Sequence, residues 1–330
     1  MLRFAIRRSL LAVLTLFAVS VTVFLLFFAV PQSPAATMCG NRVCSADVQA
    51  RITKTLGLDR PLYVQYADYM KGVFVGRTVV DGNYRVDCPA PCLGISFRTN
   101  QPVLDILKLG FPITLSIVLG GAFIWLTTGV LLGTFAALRR GGGVDKFSIG
   151  FSLTGASMQI YVLGLVLMIV FVYTLDWLPR PSYTSPFENP FKWASGLILP
   201  WITLGFINSA IYARLSRAQM LETLSEDFVR TARAKGASML VVNFRHALRA
   251  AITPMVTIAG LDIGTNLGGV AITESTFNIL GVGRIAVNAI GELNLPVVMA
   301  TVLIAAVFIV LSNVVVDLLY AVIDPRVKLS

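Results

Sequence analysis

The chain has 330 residues, of which 56% are apolar and only 13% charged. A soluble domain carries about 25% charged residues. With a mean hydropathy of +0.77, this chain lacks the polar surface to stay in water and reads as an integral membrane protein. Lys and Arg outnumber Asp and Glu 27 to 17, a net charge of +10, which in a membrane protein marks loops facing anionic lipid, not nucleic acid; the single histidine excludes a multi-histidine metal or haem site.

Six apolar stretches are long enough to cross about 30 Å as helix, for which roughly 20 residues suffice. The first, Ser9–Val30, follows Arg3, Arg7 and Arg8. Its apolar run exceeds the roughly 7–15 residues of a cleaved signal, so residues 1–30 read as a basic N-terminus and a retained first span. Residues 31–108 form a soluble segment between spans one and two. Gln49–Leu58 and Leu62–Val75 have helical spacing, separated by the boundary signal Asp59-Arg60-Pro61. Asp81-Gly82-Asn83 reads as a turn between the extended pieces Thr78–Val80 and Tyr84–Val86.

All four cysteines, Cys39, Cys44, Cys88 and Cys92, lie in this segment. An even number confined to an oxidising side points to disulfides, with the local pairs Cys39–Cys44 and Cys88–Cys92 expected. Zinc ligation and free thiols are the alternatives. Cys-Pro-Ala-Pro-Cys at 88–92 is stiffened by its two prolines. That makes Asp81, Gly82, Asn83 and Tyr84 candidate contacts for an external partner; the alternative is a stapled loop that only stabilises the segment.

Spans two to four occupy residues 109–213 as Leu109–Leu138, Phe147–Leu175 and Trp193–Ala213, all free of formal charge. Gly110, Gly120, Gly121, Gly129 and Gly133 punctuate span two, and small residues let helices approach closely. No ten-residue alternation of a membrane barrel appears.

Residues 214–249 form a loop with seven basic residues against three acids. Ser225 offers an N-cap, Glu226 and Asp227 lie in a first helical turn, Arg230, Arg233 and Lys235 follow, and Gly236 ends the helix. This order matches the helix dipole. Phe228 and Ala232 share a face at i, i+4, giving a short exposed helix with an apolar knob among cations. Such a helix requires a docking surface; a solvated loop beside anionic lipid is the alternative. Ser238 caps a second helix running through Phe244 and Leu248 to Pro254, with His246 in a packing or interface role.

Residues 250–330 hold spans five and six, Ala250–Thr273 and Leu293–Val316, and a short tail. Asp262 is the one formal charge deep in a span. A carboxylate there is costly unless paired or lining water, and Thr265 and Asn266 share its face. The stripe reads as the wall of a translocation path or as a structural pairing with another helix. Glu274 and Asp317, near the two ends of these spans, read as interfacial or ion-pairing residues. The basic loops 139–146 and 214–249 lie on the side of the basic N-terminus, which places both termini in the cytoplasm.

The run Phe228-Val229-Arg230-Thr231-Ala232-Arg233-Ala234-Lys235-Gly236, with Phe244-Arg245-His246-Ala247-Leu248-Arg249 and Pro254, resembles the EAA loop of ABC-importer permeases. More narrowly, the chain resembles the first-permease type of the dipeptide/oligopeptide/nickel permease family. Leu56-Gly57-Leu58-Asp59-Arg60-Pro61 with Gln65-Tyr66, Ser96-Phe97-Arg98-Thr99 with Pro102-Val103, and the tail Val316-Asp317-Leu318-Leu319-Tyr320-Ala321-Val322-Ile323-Asp324-Pro325-Arg326 carry the same resemblance. Two departures stand out. The Glu-Ala-Ala that names the loop is Arg230-Thr231-Ala232, and Val79–Gly94 looks like an insertion relative to typical members.

The resemblance implies an all-α membrane fold of six spans with type I ABC importer architecture. It implies a permease that moves di- or oligopeptides by alternating access across the inner membrane. Nickel chelates, glutathione and haem are cargoes of related systems. The implied partners are a second homologous permease, two ATP-binding subunits and an extracytoplasmic substrate-binding protein. Residues Asp227 to Gly236 would dock on the ATPase. The chain contains no Gly-x-x-x-x-Gly-Lys-Ser/Thr run, so ATP and Mg belong to partner subunits, and no catalytic residue, metal or cofactor is expected in this one. A stand-alone channel or secondary transporter is the rival class. It calls for intramembrane ion-coupling residues and often inverted repeats, and one acid with no evident repeat does not supply them.

Overall fold

The computed structural model describes residues 2–28, 45–47, 50, 53, 59–81, 84–96 and 98–323. Helices α1 (Leu2–Phe28) and α2 (Leu62–Val75) precede a hairpin of β1 (Arg77–Asp81) and β2 (Tyr84–Cys88). Then come α3 (Val103–Leu138), α4 (Gly143–Ser157), α5 (Ile160–Met168), α6 (Pro190–Ser225) and α7 (Asp227–Ala234). The chain continues as α8 (Leu248–Leu267), α9 (Ala271–Thr276), α10 (Val282–Gly291) and α11 (Leu295–Ile323). π-helical segments prolong α5 over Ile169–Thr174 and lead into α8 over Val241–Ala247.

Among the described residues, five helices are long and apolar enough to cross a membrane: Ile6–Phe28, Val103–Leu138, Pro190–Ser225, Val241–Leu267 and Leu295–Leu318. The sixth expected span, Phe147–Leu175, is not one straight helix. Its two halves meet at 99° across Met158 and Gln159, both in extended conformation. Fifteen residues of helix reach only about 22 Å, so neither half crosses alone. No proline or glycine sits at the break. Both halves pack on α6, and the second half also reaches α9. Gly155 of α4 lies against Ala210 of α6, and Gly164 of α5 lies against Thr276 and Phe277 at the end of α9.

The scaffold is the pair α3 and α6, each 36 residues and hence about 54 Å long. Glycines set their separation. A Cβ on Gly129 would meet the Tyr212 Cβ at 2.7 Å, and one on Gly133 the Ala213 carbonyl oxygen at 2.3 Å. Gly120 makes room for Trp201, whose Nε1 donates to the Ser116 carbonyl at 2.9 Å. Span two's glycines therefore serve packing. Around this seam Trp125, Tyr212 and Phe277 are fully buried at the centre of the core. One end of α3 packs through Val103 and Leu107 on Val282 and Val297. The other end, through Ala137, joins Met220, Val229 and Val242.

α1 lies on α11 and α2. Ser20 Oγ and Tyr66 OH are hydrogen-bonded at 2.7 Å, Phe24 stacks on Phe28, and Arg8 forms an ion pair with Asp317, the role expected of that acid. Span five stops at Leu267, short of Thr273, because Gly268 and Gly269 break it. Gly269 has φ +128°, and its α-carbon side abuts Gly283, a conformation and a clearance that L side chains do not tolerate.

In the segment between α1 and α3, helix α2 has the expected bounds, and Arg77–Asp81 pairs antiparallel with Tyr84–Cys88. Cys88 and Cys92 are joined by a disulfide and form a small core with Ile95, which removes zinc ligation for this pair. Ser96, fully buried, accepts from Asn294 Nδ2 at 2.7 Å, and Arg98 Nη2 donates to the Glu292 carbonyl at 3.0 Å. These bonds tie the cysteine loop to the turn between α10 and α11. The pair Cys39–Cys44, most of Gln49–Leu58, the turn residues Gly82 and Asn83, and the tail from 324 lie outside the described residues.

Candidate functional site

α7 stands at the end of α3 and α6 remote from the cysteine loop. Asp227 is in its first turn and Arg233 in its last, as the dipole favours. Its start differs from the expected one. Ser225 Oγ bonds back to the Glu222 carbonyl at 2.7 Å inside α6, so Ser225 closes the preceding helix and does not cap α7. The cap position is Glu226, whose side chain makes no capping bond. The C-terminal end is as expected: Gly236 has φ +80°, its N–H bonds the Arg233 carbonyl at 3.0 Å, and Ala237 N–H bonds the Ala232 carbonyl at 3.2 Å.

The two apolar residues of the first turn face opposite ways. Val229 is 0% exposed, packed among Met220, Val242 and Ala247 with Ala232 at its edge. Phe228 is 46% exposed. Asp227, Arg230, Thr231, Arg233, Ala234, Lys235 and Gly236 are all exposed; Arg230 Nη1 lies 3.5 Å from Asp227 Oδ1. Val229 thus anchors the helix, and Phe228 stands free among cations. Met239 and Leu240, 61% and 72% exposed, add apolar surface just after α7. Sequence reasoning passed over them, although an apolar pair directly after Ser238 in a charged loop was a usable signal. His246 is exposed on the π-helical segment.

The expected polar stripe of span five divides. Tyr212 OH of α6 donates to Asp262 Oδ2 at 2.6 Å. Asn266 Nδ2 donates to the Asp262 carbonyl at 2.7 Å and Thr265 Oγ1 to the Leu261 carbonyl at 2.9 Å. Asp262 and Asn266 are half-buried, and Thr265 alone is exposed. The carboxylate is thus paired to a neighbouring helix of the same chain. Between α3, α8 and α11 lies an apolar cavity of about 600 Å³ that includes Leu126, Met255, Gly260 and Ser312 in its wall.

Glu274, expected at an interface or in an ion pair, is 0% exposed and forms no ion pair among the described residues. It sits in α9 with Oε1 accepting from Thr114 Oγ1 at 2.6 Å and Oε2 from Arg284 N–H at 2.8 Å. Thr114 in turn accepts from Val282 N–H at 2.8 Å. The carboxylate and hydroxyl together satisfy N–H groups in the first turn of α10, which a helix leaves unpaired. One buried acid thereby joins α3, α9 and α10.

Residues 1–118 match the family described as the N-terminal part of the binding-protein-dependent transport system membrane component. Residues 129–329 match the binding-protein-dependent transport system inner membrane component. The di/tripeptide transport system permease protein DppB of Pseudomonas aeruginosa (strain UCBPP-PA14) is 37% identical over 348 residues, covering 99% of each chain. The dipeptide transport system permease protein DppB of Escherichia coli K12 is 34% identical, with 99% of each chain covered. The glutathione transport system permease protein GsiC of Escherichia coli O6:H1 is 36% identical, again over 99% of each. Among solved structures, a chain of the inward-facing MetNI methionine ABC transporter shares the fold. Its TM-score is 0.54 at 16% identity, and the likeness covers 67% of this chain and 97% of that one. Apolar helices, α7 on its buried valine and full-length relatives converge on one assignment: the chain belongs to the family of binding-protein-dependent transport system inner membrane components.

Proposed function

We propose that the chain is one of two permease subunits of an ABC importer that carries short peptides inward by alternating access. The observation that carries this reading is α7, a helix held by Val229 from beneath and presenting Phe228 and three cations outward. Asp227 to Gly236 form the docking face for an ATP-binding subunit, with Met239 and Leu240 extending it. ATP binding in a pair of such subunits draws the docked helices together and opens the permease pair outward to a loaded binding protein; hydrolysis resets them. ATP and Mg are held by those partners. In this reading α7 and both termini lie in the cytoplasm, which the basic loops 139–146 and 214–249 support, and the cysteine loop with the β1–β2 hairpin, Asp81, Gly82, Asn83 and Tyr84 included, is the side offered to the binding protein. Thr265, the exposed member of the α8 stripe, faces the path, while Asp262 and Asn266 shape the helix behind it.

Peptide cargo is supported by relatives named for di- and tripeptides. A relative named for glutathione gives the second reading, itself a small peptide-like thiol. The test is uptake into proteoliposomes holding the chain with its co-expressed partner permease, ATPases and binding protein. ATP-dependent uptake of labelled dipeptide is expected. Uptake of glutathione in preference selects the second reading. Transport by the isolated chain without ATP overturns both.

A further inference from the structure

α4 begins at Gly143, the last of the run Gly141-Gly142-Gly143, and added Cβ atoms at Gly141 and Gly143 would meet nothing within 4 Å. The connection through Gly141 and Gly142 carries no side chain to stiffen it and is a poor path for a displacement along the chain. α4 is held at this end by a different device. Asp145, 3% exposed, accepts from Arg217 Nε at 2.5 Å on Oδ1 and from Arg217 Nη2 at 3.0 Å on Oδ2. Oδ2 also accepts from Gly141 N–H at 2.8 Å. A two-point guanidinium–carboxylate fork fixes orientation as well as distance.

Arg217 sits on α6 one turn before Met220, and Met220 packs on Val229 of α7. At its other end α4 turns through 99° into α5, whose Gly164 lies against Thr276 and Phe277. We infer that the Asp145–Arg217 fork is the positioning pair that delivers movement of α7 and the end of α6 to the bent α4–α5 element. Farther along, α4 packs on α6 through Phe151–Phe206 and Gly155–Ala210; at its first turn the fork is the directed polar link between the two helices. This inference rests on the importer reading above.

Its test uses the assembled complex in proteoliposomes, with peptide uptake and ATP hydrolysis measured together. Asp145→Asn removes the charge, Arg217→Lys keeps charge but loses the fork, and the exchange Asp145→Arg with Arg217→Asp rebuilds the pair reversed. In both single variants the peptide transported per ATP should fall roughly 5-fold or more, the size of an ordinary coupling between sites. Binding-protein-stimulated hydrolysis should continue, and the exchange should recover part of the ratio, as required of a direct pair. A merely stabilising pair would instead lower uptake and hydrolysis in parallel with the amount of folded complex, and that result overturns the inference. An unchanged ratio in Arg217→Lys overturns it too, and this variant decides the matter if Asp145→Asn does not assemble. If the unaltered complex shows no ATP-dependent uptake, the importer reading fails and the fork's role with it. Tight coupling in the unaltered and variant complexes alike removes the fork alone.

Discussion

Phe228 and Val229 are adjacent, and a charge placed on each should produce opposite results. Phe228→Asp alters an exposed knob, so thermal stability should move by no more than about 0.5 kcal/mol. Stimulation of the partner ATPase by loaded binding protein should be lost. Val229→Asp buries an unpaired carboxylate beside Met220 and Val242 and should cost about 4 kcal/mol or more, seen as loss of folded protein in detergent. Normal stimulation in Phe228→Asp would remove the docking role from α7. Glu274 makes a second contrast. Glu274→Ala strands the Thr114 hydroxyl and the Arg284 N–H in a dry site, at a cost of about 3 kcal/mol. Glu274→Gln keeps one acceptor and should cost about 1 kcal/mol. Thermal unfolding of the two variants checks the order; equal effects would mean that the acid acts through its charge and not through these bonds.

Among the elements, the seam of α3 and α6 has no spare room. Gly133→Ala sets a methyl group against the Ala213 carbonyl and should destabilise by about 1–3 kcal/mol. Gly150→Ala on α4, where nothing lies within 4 Å, should be neutral or stabilising by up to about 1 kcal/mol. Comparing yields and melting temperatures of the two separates packing from helix propensity. This seam was legible in the sequence, because small residues recurring along an apolar helix have few other uses. So were α2, the hairpin and the glycine stop at 236, each written in local chemistry. The bend at Met158–Gln159 was not, since neither residue is a helix breaker and the partners of Gly164, Thr276 and Phe277, lie far along the chain. The capping role of Glu274 was hidden for a related reason. Its partners Thr114 and Arg284 come from α3 and α10, and nothing local distinguishes a buried cap from a surface acid. Ser225 misled because it lies one residue too early: α6 runs on and uses its hydroxyl.

At the scale of the molecule, the long axis of α3 separates two kinds of surface. One end carries the disulfide loop and the exposed aromatics Trp177, Phe187 and Phe191; the other carries α7. In the orientation proposed above, the second end faces the cytoplasm, as the charge pattern of the loops favours. Single cysteines introduced at Phe187 and at Arg233, on a background with the native cysteines oxidised, should react with a membrane-impermeant maleimide from opposite sides of right-side-out vesicles. Phe187→Cys should label in intact vesicles and Arg233→Cys only after permeabilisation. The reverse pattern would overturn the proposed topology and with it the proposed side for ATPase docking.

The stretches matching the two family descriptions, residues 1–118 and 129–329, are separated only by residues inside α3, which runs unbroken from Val103 to Leu138. No linker divides the part carrying the hairpin from the part carrying the seam with α6. The two are therefore keyed in phase, like a cam on a shaft. One residue added to α3 between them would swing the hairpin about 100° around the helix axis and lift it about 1.5 Å. Compensated changes of seven residues, close to two full turns, would nearly restore its bearing. Length variation in such a protein is thus steered away from the shaft and into the connections between helices, where an extra residue leaves the shaft's bearing unchanged.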